Sequence, residues 1–179
     1  MANHAVIQLN KVAAKNQDSL NRPVISASNV DNGNIFQLLS VSGTTGEGEV
    51  FVATAPTTAS STGVWMAAQP EQPFGSAGNN VYYGIGNIQD FYNSASQVFQ
   101  AFKPEKGDII ELSVDAFDTT PTAGQYAIPS SGVYTMAWAA AAGTGFALKY
   151  LNSSYIPCAS ASAISAGRIT TYRCEVTGV

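Results

Sequence analysis

The stretch DNGNIFQLLSV, residues 31–41, carries the strongest fold signal in this sequence of 179 residues. It opens with Asp-Asn-Gly, in which Asn and Gly tolerate the positive φ angles of a tight turn. In the run that follows, alternation places Ile35 and Leu39 on one face of a strand. Phe36 and Leu38 lie on the other face. Because both faces are mostly apolar, the pattern predicts a strand that is covered on both sides.

Beyond this strand, turn-forming residues separate short apolar stretches, as is typical of a β protein. The glycine-rich residues 42–48 lead into a second strand at residues 49–55, so the two are expected to form a hairpin. In residues 108–114 we expect the apolar side chains to face inward, with Glu111 and Ser113 outward. Even spacing of short strands predicts an all-β, mainly antiparallel β-sandwich or small β-barrel. The remaining strands are predicted at residues 64–67, 125–128, 132–139, 145–151 and 168–176.

Residues 1–23 show no sustained period and are predicted to form an extended N-terminal arm, with one short strand or a short helix as open alternatives. The body is expected to divide into a β-rich module with long loops, residues 24–101, and a C-terminal antiparallel module, residues 102–179. One continuous domain is the alternative. At most one short helix or turn is expected, between Asp90 and Ala101, because apolar residues recur there at helical spacing.

Composition restricts the classes of partner. Charged residues make up 11% of the chain, against roughly 25% in typical soluble proteins. A net charge of -4 argues against nucleic acid as a partner, since phosphate binding needs clustered Lys and Arg. No run of apolar residues is long enough for a membrane span and no secretory pattern is visible. We therefore expect no membrane partner and synthesis in the cytoplasm.

The sequence predicts no catalytic residue and no cofactor. His4 is the single histidine and falls in the predicted arm. A base in a mobile arm is not held within hydrogen-bond reach of a reacting group. The segment GIGNIQ, residues 84–89, departs from a dinucleotide fingerprint because Gln89 stands where the third glycine belongs. No histidine cluster accompanies Cys158 and Cys174, which argues against a metal site. A cytoplasmic folding compartment disfavours a disulfide, so both are expected to be buried thiols.

Two pairs of acids are candidates for a hydrolytic or metal site. Glu47 and Glu49 flank a glycine turn, and Asp115 and Asp118 follow a predicted strand. Both pairs are interpreted as solvated turn residues, and no metal site is predicted. A divalent cation that stabilises the loop at Asp115 and Asp118 is the open alternative.

Three stretches resemble the small decoration, or cement, proteins of tailed-phage heads. They are DNGNIFQLLSVSGTTGEGEVFVATAP (residues 31–56), GVWMA (residues 63–67) and the stretch from FYN to FKPEKGDIIELS (residues 91–113). The resemblance implies a virion protein that binds the outer surface of the head and bridges major capsid protein subunits. It also implies self-association as trimers or clusters.

The arm supplies the candidate capsid contacts. It is slightly basic, whereas the body is acidic, and an extended arm can add a strand to a neighbour. Its removal as residues 1–22 is expected to leave the body folded. The candidate contact residues are Val6, Ile7, Leu9, Lys11, Lys15 and Arg22.

Two other classes of function stay open. The first is a phage fibre, tail or host-surface carbohydrate-binding module, with Trp65, Tyr82 and Tyr83 as a sugar platform. The second is a hydrolase that uses one of the carboxylate pairs. The large aromatic residues could fill the cores or form an interface. The two alternatives have equal weight, since Tyr and Trp serve both roles.

Overall fold

A computed structural model describes residues 3–13, 21–43, 49–70, 88–159 and 166–179. Within these ranges the fold is all-β, as predicted, with ten strands and three short 3-10 turns. The strands form a closed five-stranded barrel and a five-stranded sheet. The 3-10 turns are Leu9–Lys11, Ile88–Asp90 and Val114–Ala116.

The barrel is built from the first half of the chain. Its strands follow the order β1-β3-β2-β4-β5, and each neighbouring pair is antiparallel except β1 with β3. The predicted hairpin is present as β2 paired with β3, and Gly33 in the turn before β2 has φ +88°. The strands are β1 (Asn21–Ile25), β2 (Ile35–Val41), β3 (Phe51–Thr54), β4 (Val64–Ala67) and β5 (Val98–Phe102).

The second sheet is built from the rest of the chain and is antiparallel throughout. Its order is β6-β10-β9-β7-β8. The last two strands have 13 residues each and form a long hairpin that extends beyond its neighbours. The strands are β6 (Ile109–Ser113), β7 (Tyr126–Pro129), β8 (Met136–Ala139), β9 (Ala147–Ala159) and β10 (Ala166–Gly178).

Two apolar cores follow from the alternation in the barrel strands. Phe36 on β2 and Phe99 on β5 point into the barrel, where their rings pack edge to face at 5.8 Å. Ile35 and Met66 point outward and join the core against the second sheet, together with Leu112. The first half of β2 is therefore covered on both faces, as predicted. For the second half the prediction was wrong, because Leu39 is 57% and Val41 is 42% exposed. The division at residues 101 and 102 stays a prediction, and this second core spans it.

Residues 3–13, here called the N-terminal segment, lie along β6 instead of extending away from the body. Ile7 bridges to Leu112 and Ala13 bridges to Ile109. Because the segment covers this edge, Glu111 is 2% exposed and Ser113 is fully buried. The prediction that these two side chains face outward to solvent was wrong.

Of the helix or turn expected between Asp90 and Ala101, the structure has a turn at Ala95 and Ser96 and no helix. Only residues 88–90 form a 3-10 turn, and the chain then enters β5 at Val98. Phe99 and Ala101 pair with β1 in the barrel, and Ser96 takes a positive φ of 61° just before the strand. Pairing across the barrel outweighs the weak helical spacing of this segment.

Candidate functional site

The structure describes five of the six predicted contact residues and separates them into a buried and an exposed group. Val6 and Ile7 are 1% and 2% exposed inside the chain's own core, so they are not available to another protein. Leu9 is 39% exposed, and the Lys11 side chain is 42% exposed. Arg22 is exposed and stacks over the ring of Phe51 at 4.9 Å. Lys15 lies outside the described residues.

Hydrogen bonds hold the N-terminal segment against β6. The Val6 N–H donates to Ser113 Oγ at 2.9 Å, and the Ser113 N–H donates to the Val6 carbonyl at 2.8 Å. The Lys11 ammonium pairs with Glu111 Oε1 at 3.0 Å, and the Thr171 hydroxyl donates to the same oxygen at 2.6 Å. A buried carboxylate is stable only with such partners. This segment is therefore part of the folded body.

His4 anchors the start of the segment, which no sequence pattern predicted. Its Nδ1 lies 2.8 Å from Asp31 Oδ1, and the Ala5 N–H donates to Asp31 Oδ2 at 3.0 Å. The imidazole packs on the ring of Tyr92 with centroids 4.7 Å apart. Within the described chain these contacts give His4 a structural role, tying the segment to the turn that precedes β2.

An uncharged apolar row crosses the outer face of the barrel. The register pairs Ile25 with Val98 on one side and with Val52 on the other. A bulge in β2 between Leu38 and Val41 leaves Leu39 and Ser40 together opposite Val52. We call Ile25, Leu39, Val52 and Val98 the barrel row.

The barrel row is open to solvent. Leu39 is 57% exposed and Val98 is 46% exposed, while the other two members are half-buried. The neighbouring outward positions are Pro23 and Gln100 on one side and Gln37 and Thr54 on the other, none of them ionisable. A contiguous exposed apolar surface of this kind is typical of a protein interaction site.

The candidate carboxylates are held by separate neighbours. Asp115 Oδ2 accepts a hydrogen bond from Gln89 at 2.8 Å, whereas Asp118 Oδ1 accepts from Thr119 at 3.1 Å. Glu47 lies outside the described residues. Among the residues that are described, no three His, Cys, Asp or Glu side chains are grouped to hold a metal ion.

Aromatic residues mostly fill cores. Trp65 is half-buried and packs against the barrel interior, while Tyr82 and Tyr83 lie outside the described residues. A second cluster surrounds Trp138, which stacks on Phe117 at 4.6 Å and meets Tyr150 edge to face at 5.9 Å. With rings at 81° to each other, Trp138 and Tyr150 do not form a flat surface for a sugar.

The thiol of Cys174 is free and fully buried. Burial raises the pKa of this thiol to about 12, because the charged thiolate is poorly solvated there. Cys174 is therefore an inert core residue at neutral pH. The side chain of Cys158 lies outside the described part of the chain.

An open groove of about 480 Å³ separates the N-terminal segment from β9. Its walls are mainly apolar and include Leu9, Ile88 and Tyr155. Lys11 also lines it, but the ammonium is already paired with Glu111. The groove thus offers apolar contact without an unpaired charge on its lining to select a ligand.

Comparison with protein-family models, curated proteins and solved structures finds no match. No helix in the described ranges is long and apolar enough to cross a membrane. The resemblance to phage decoration proteins therefore stays a prediction.

Proposed function

We propose that this protein is a virion structural protein that binds the outer surface of a phage capsid. It stabilises the lattice by bridging major capsid protein subunits, and it has no catalytic step. The barrel row is the observation that carries the proposal, and it is the surface that would meet the capsid.

The physical argument starts from desolvation. Apolar side chains contribute roughly 25 cal/mol for each Å² removed from water. Among the described outward positions next to the barrel row, Pro23, Gln37, Thr54 and Gln100, there is no charge to dehydrate. Neutral outward positions on both sides of the row extend the area that can be covered at low cost. A protein that covers a capsid lattice needs an apolar surface that can be buried without dehydrating charged groups.

The exposed basic groups support a second contact. The chain carries a net charge of -4, yet Lys11 and Arg22 are exposed near its N-terminal end. These two cations and Leu9 remain candidate capsid contacts, with Lys15. Val6 and Ile7 act in the proposal only by holding the segment in place.

The test is binding of the purified protein to heads that lack it. Leu39→Lys places a charge in the barrel row and should lower occupancy at least tenfold, because burying an unpaired ammonium is strongly unfavourable. Val133→Lys is the matched control, since Val133 is 45% exposed and lies outside the row. Equal occupancy for the two variants, with both folded, would remove the barrel row from the proposal.

A further inference from the structure

The open groove between the N-terminal segment and β9 has apolar walls on both sides. Leu9 on one side is 39% exposed and Tyr155 on the other is 52% exposed. Ile88, Ile156 and Pro157 add to the apolar lining. The volume of about 480 Å³ falls within the range of roughly 300 to 1,000 Å³ that is usual for ligand sites. The groove is therefore large enough to bury apolar side chains of a partner.

One positive charge beside this groove has no counter-ion within the described chain. The guanidinium carbon of Arg168 lies 4.4 Å from the centroid of the Tyr155 ring. This guanidinium makes no ion pair and no hydrogen bond with any described residue. The sequence from Tyr150 to Cys174 contains no acid that could neutralise it. A partner that fills the groove therefore meets an exposed cation at Tyr155.

Stacking on Tyr155 prepares the Arg168 guanidinium for a carboxylate. An aromatic ring attracts the planar cation over its face and leaves the N–H groups at the edge of the guanidinium open. Two of these N–H groups can donate to both oxygens of one carboxylate, which is stronger than a hydrogen bond between neutral groups. Lys11, the cation on the lining, already pairs with the buried Glu111 at 3.0 Å. The charge pattern therefore favours a partner with a carboxylate and places that carboxylate beside Tyr155.

Two polar groups at the groove favour a peptide over a hydrocarbon chain. Gln8 lines the groove, and its side-chain amide makes no hydrogen bond within the described chain. The hydroxyl of Tyr155 is likewise without a partner among the described residues. A hydrocarbon chain would remove water from both groups and replace none of its hydrogen bonds, which is unfavourable. A peptide backbone supplies a carbonyl and, except at proline, an N–H at each residue, so it can satisfy both.

We propose that this groove binds a short peptide segment of a partner protein, with apolar side chains against Leu9 and Tyr155 and a carboxylate paired with Arg168. The inference goes beyond the capsid proposal, because it uses neither the barrel row nor a capsid lattice. It adds a docking site beside the second sheet for a segment that is both apolar and acidic.

Selection from a library of random hexapeptides, against the immobilised full chain, tests the class of ligand. The enriched peptides should combine two or more large apolar residues with at least one Asp or Glu. A library in which nothing is enriched, or in which the enriched peptides contain no acid, would overturn the proposal.

Fluorescence anisotropy with the most enriched peptide tests the pairing with Arg168. Arg168→Gln should raise the Kd at least about tenfold, because the charge-assisted hydrogen bonds to the carboxylate are lost. Arg173→Gln is the matched control, since Arg173 is an exposed arginine on the same strand and its loss changes the net charge equally. The control should keep the Kd within about twofold of the wild-type value. Equal losses in the two variants would show attraction by net charge alone and would contradict the site.

Replacing the acid of the peptide by its amide tests the same pair from the other side. The wild-type chain should lose affinity about tenfold, whereas Arg168→Gln should lose nothing further, because the pair is already broken. The same loss in both proteins would mean that the carboxylate binds elsewhere.

The apolar wall is tested in the same assay. Leu9→Ser should raise the Kd at least about fivefold through lost apolar contact. Leu151→Ser should leave the Kd unchanged, since Leu151 is 41% exposed but does not line the groove. Equal Kd values for these two variants would remove the groove from the proposal.

A second copy of the chain is the competing occupant. Self-association in sedimentation velocity that Arg168→Gln abolishes would identify that occupant and overturn the peptide site. Head binding by Leu39→Lys is measured separately, so the capsid proposal and the peptide site can each fail alone.

Discussion

At the scale of single residues, Gly33 shows how the turn and the core depend on each other. Its φ of +88° favours glycine, and a Cβ atom placed there would lie 2.7 Å from Cδ2 of Leu112. Leu112 is fully buried in the core between the two sheets, so it has no room to move. The turn before β2 therefore needs glycine for both its backbone conformation and its packing.

Gly33→Ala should lower the free energy of unfolding by about 2 to 4 kcal/mol, through backbone strain and overpacking. Gly124→Ala is the matched control, since Gly124 has φ +86° but open space around it. That variant should lose only about 1 kcal/mol from strain. Urea denaturation measures both values, and equal losses would contradict the packing contact.

At this scale, the least predictable feature was which polar residues are buried. Asn32 and Asn34 belong to a sequence that predicts a turn, and both are buried. Asn32 donates to the Gln69 carbonyl at 2.7 Å, a contact across 37 positions that no local pattern reports. Glu111 is similar, because the segment that covers it lies 100 residues earlier.

At the scale of elements, sequence alternation predicted eight of the ten described strands, missed β1 and β5, and predicted the partners poorly. The strand at residues 64–67 has the predicted bounds, and β6 lies within the predicted residues 108–114. Periodicity reports which residues can form a strand, but the partner is chosen by long-range packing. This explains why the parallel pair of β1 and β3, and the docking of the N-terminal segment on β6, were missed.

The N-terminal segment provides the sharpest test at this scale. Ile7→Ala should lower the free energy of unfolding by about 2 to 5 kcal/mol, because Ile7 is 2% exposed in the core. Leu9→Ala, two residues further on and 39% exposed, should lose less than about 1 kcal/mol. Thermal or urea unfolding distinguishes them, and two neutral variants would show that the segment is a free arm after all.

The same contacts change the expected effect of truncation. Removal of residues 1–22 would take Ala5, Val6 and Ile7 from the core, together with the start of β1 at Asn21. Because of these contacts we now expect the deletion to destabilise the body, in place of the expectation that the body stays folded. Occupancy on heads is better tested with surface substitutions.

At the scale of the whole molecule, the register of the barrel strands places one apolar row on β1, β2, β3 and β5. The sequence predicted the all-β class, and its low charge content favours an adhesive surface. It did not locate that surface, because the position of an exposed row depends on strand register.

The most direct measurement of the central claim is imaging of the native phage particle at a resolution that allows the chain to be traced. The account predicts this protein on the outer surface of the head, with Leu39 and Val98 of the barrel row buried against major capsid protein. A head surface that lacks the protein, or a bound copy with the barrel row facing solvent, would contradict it.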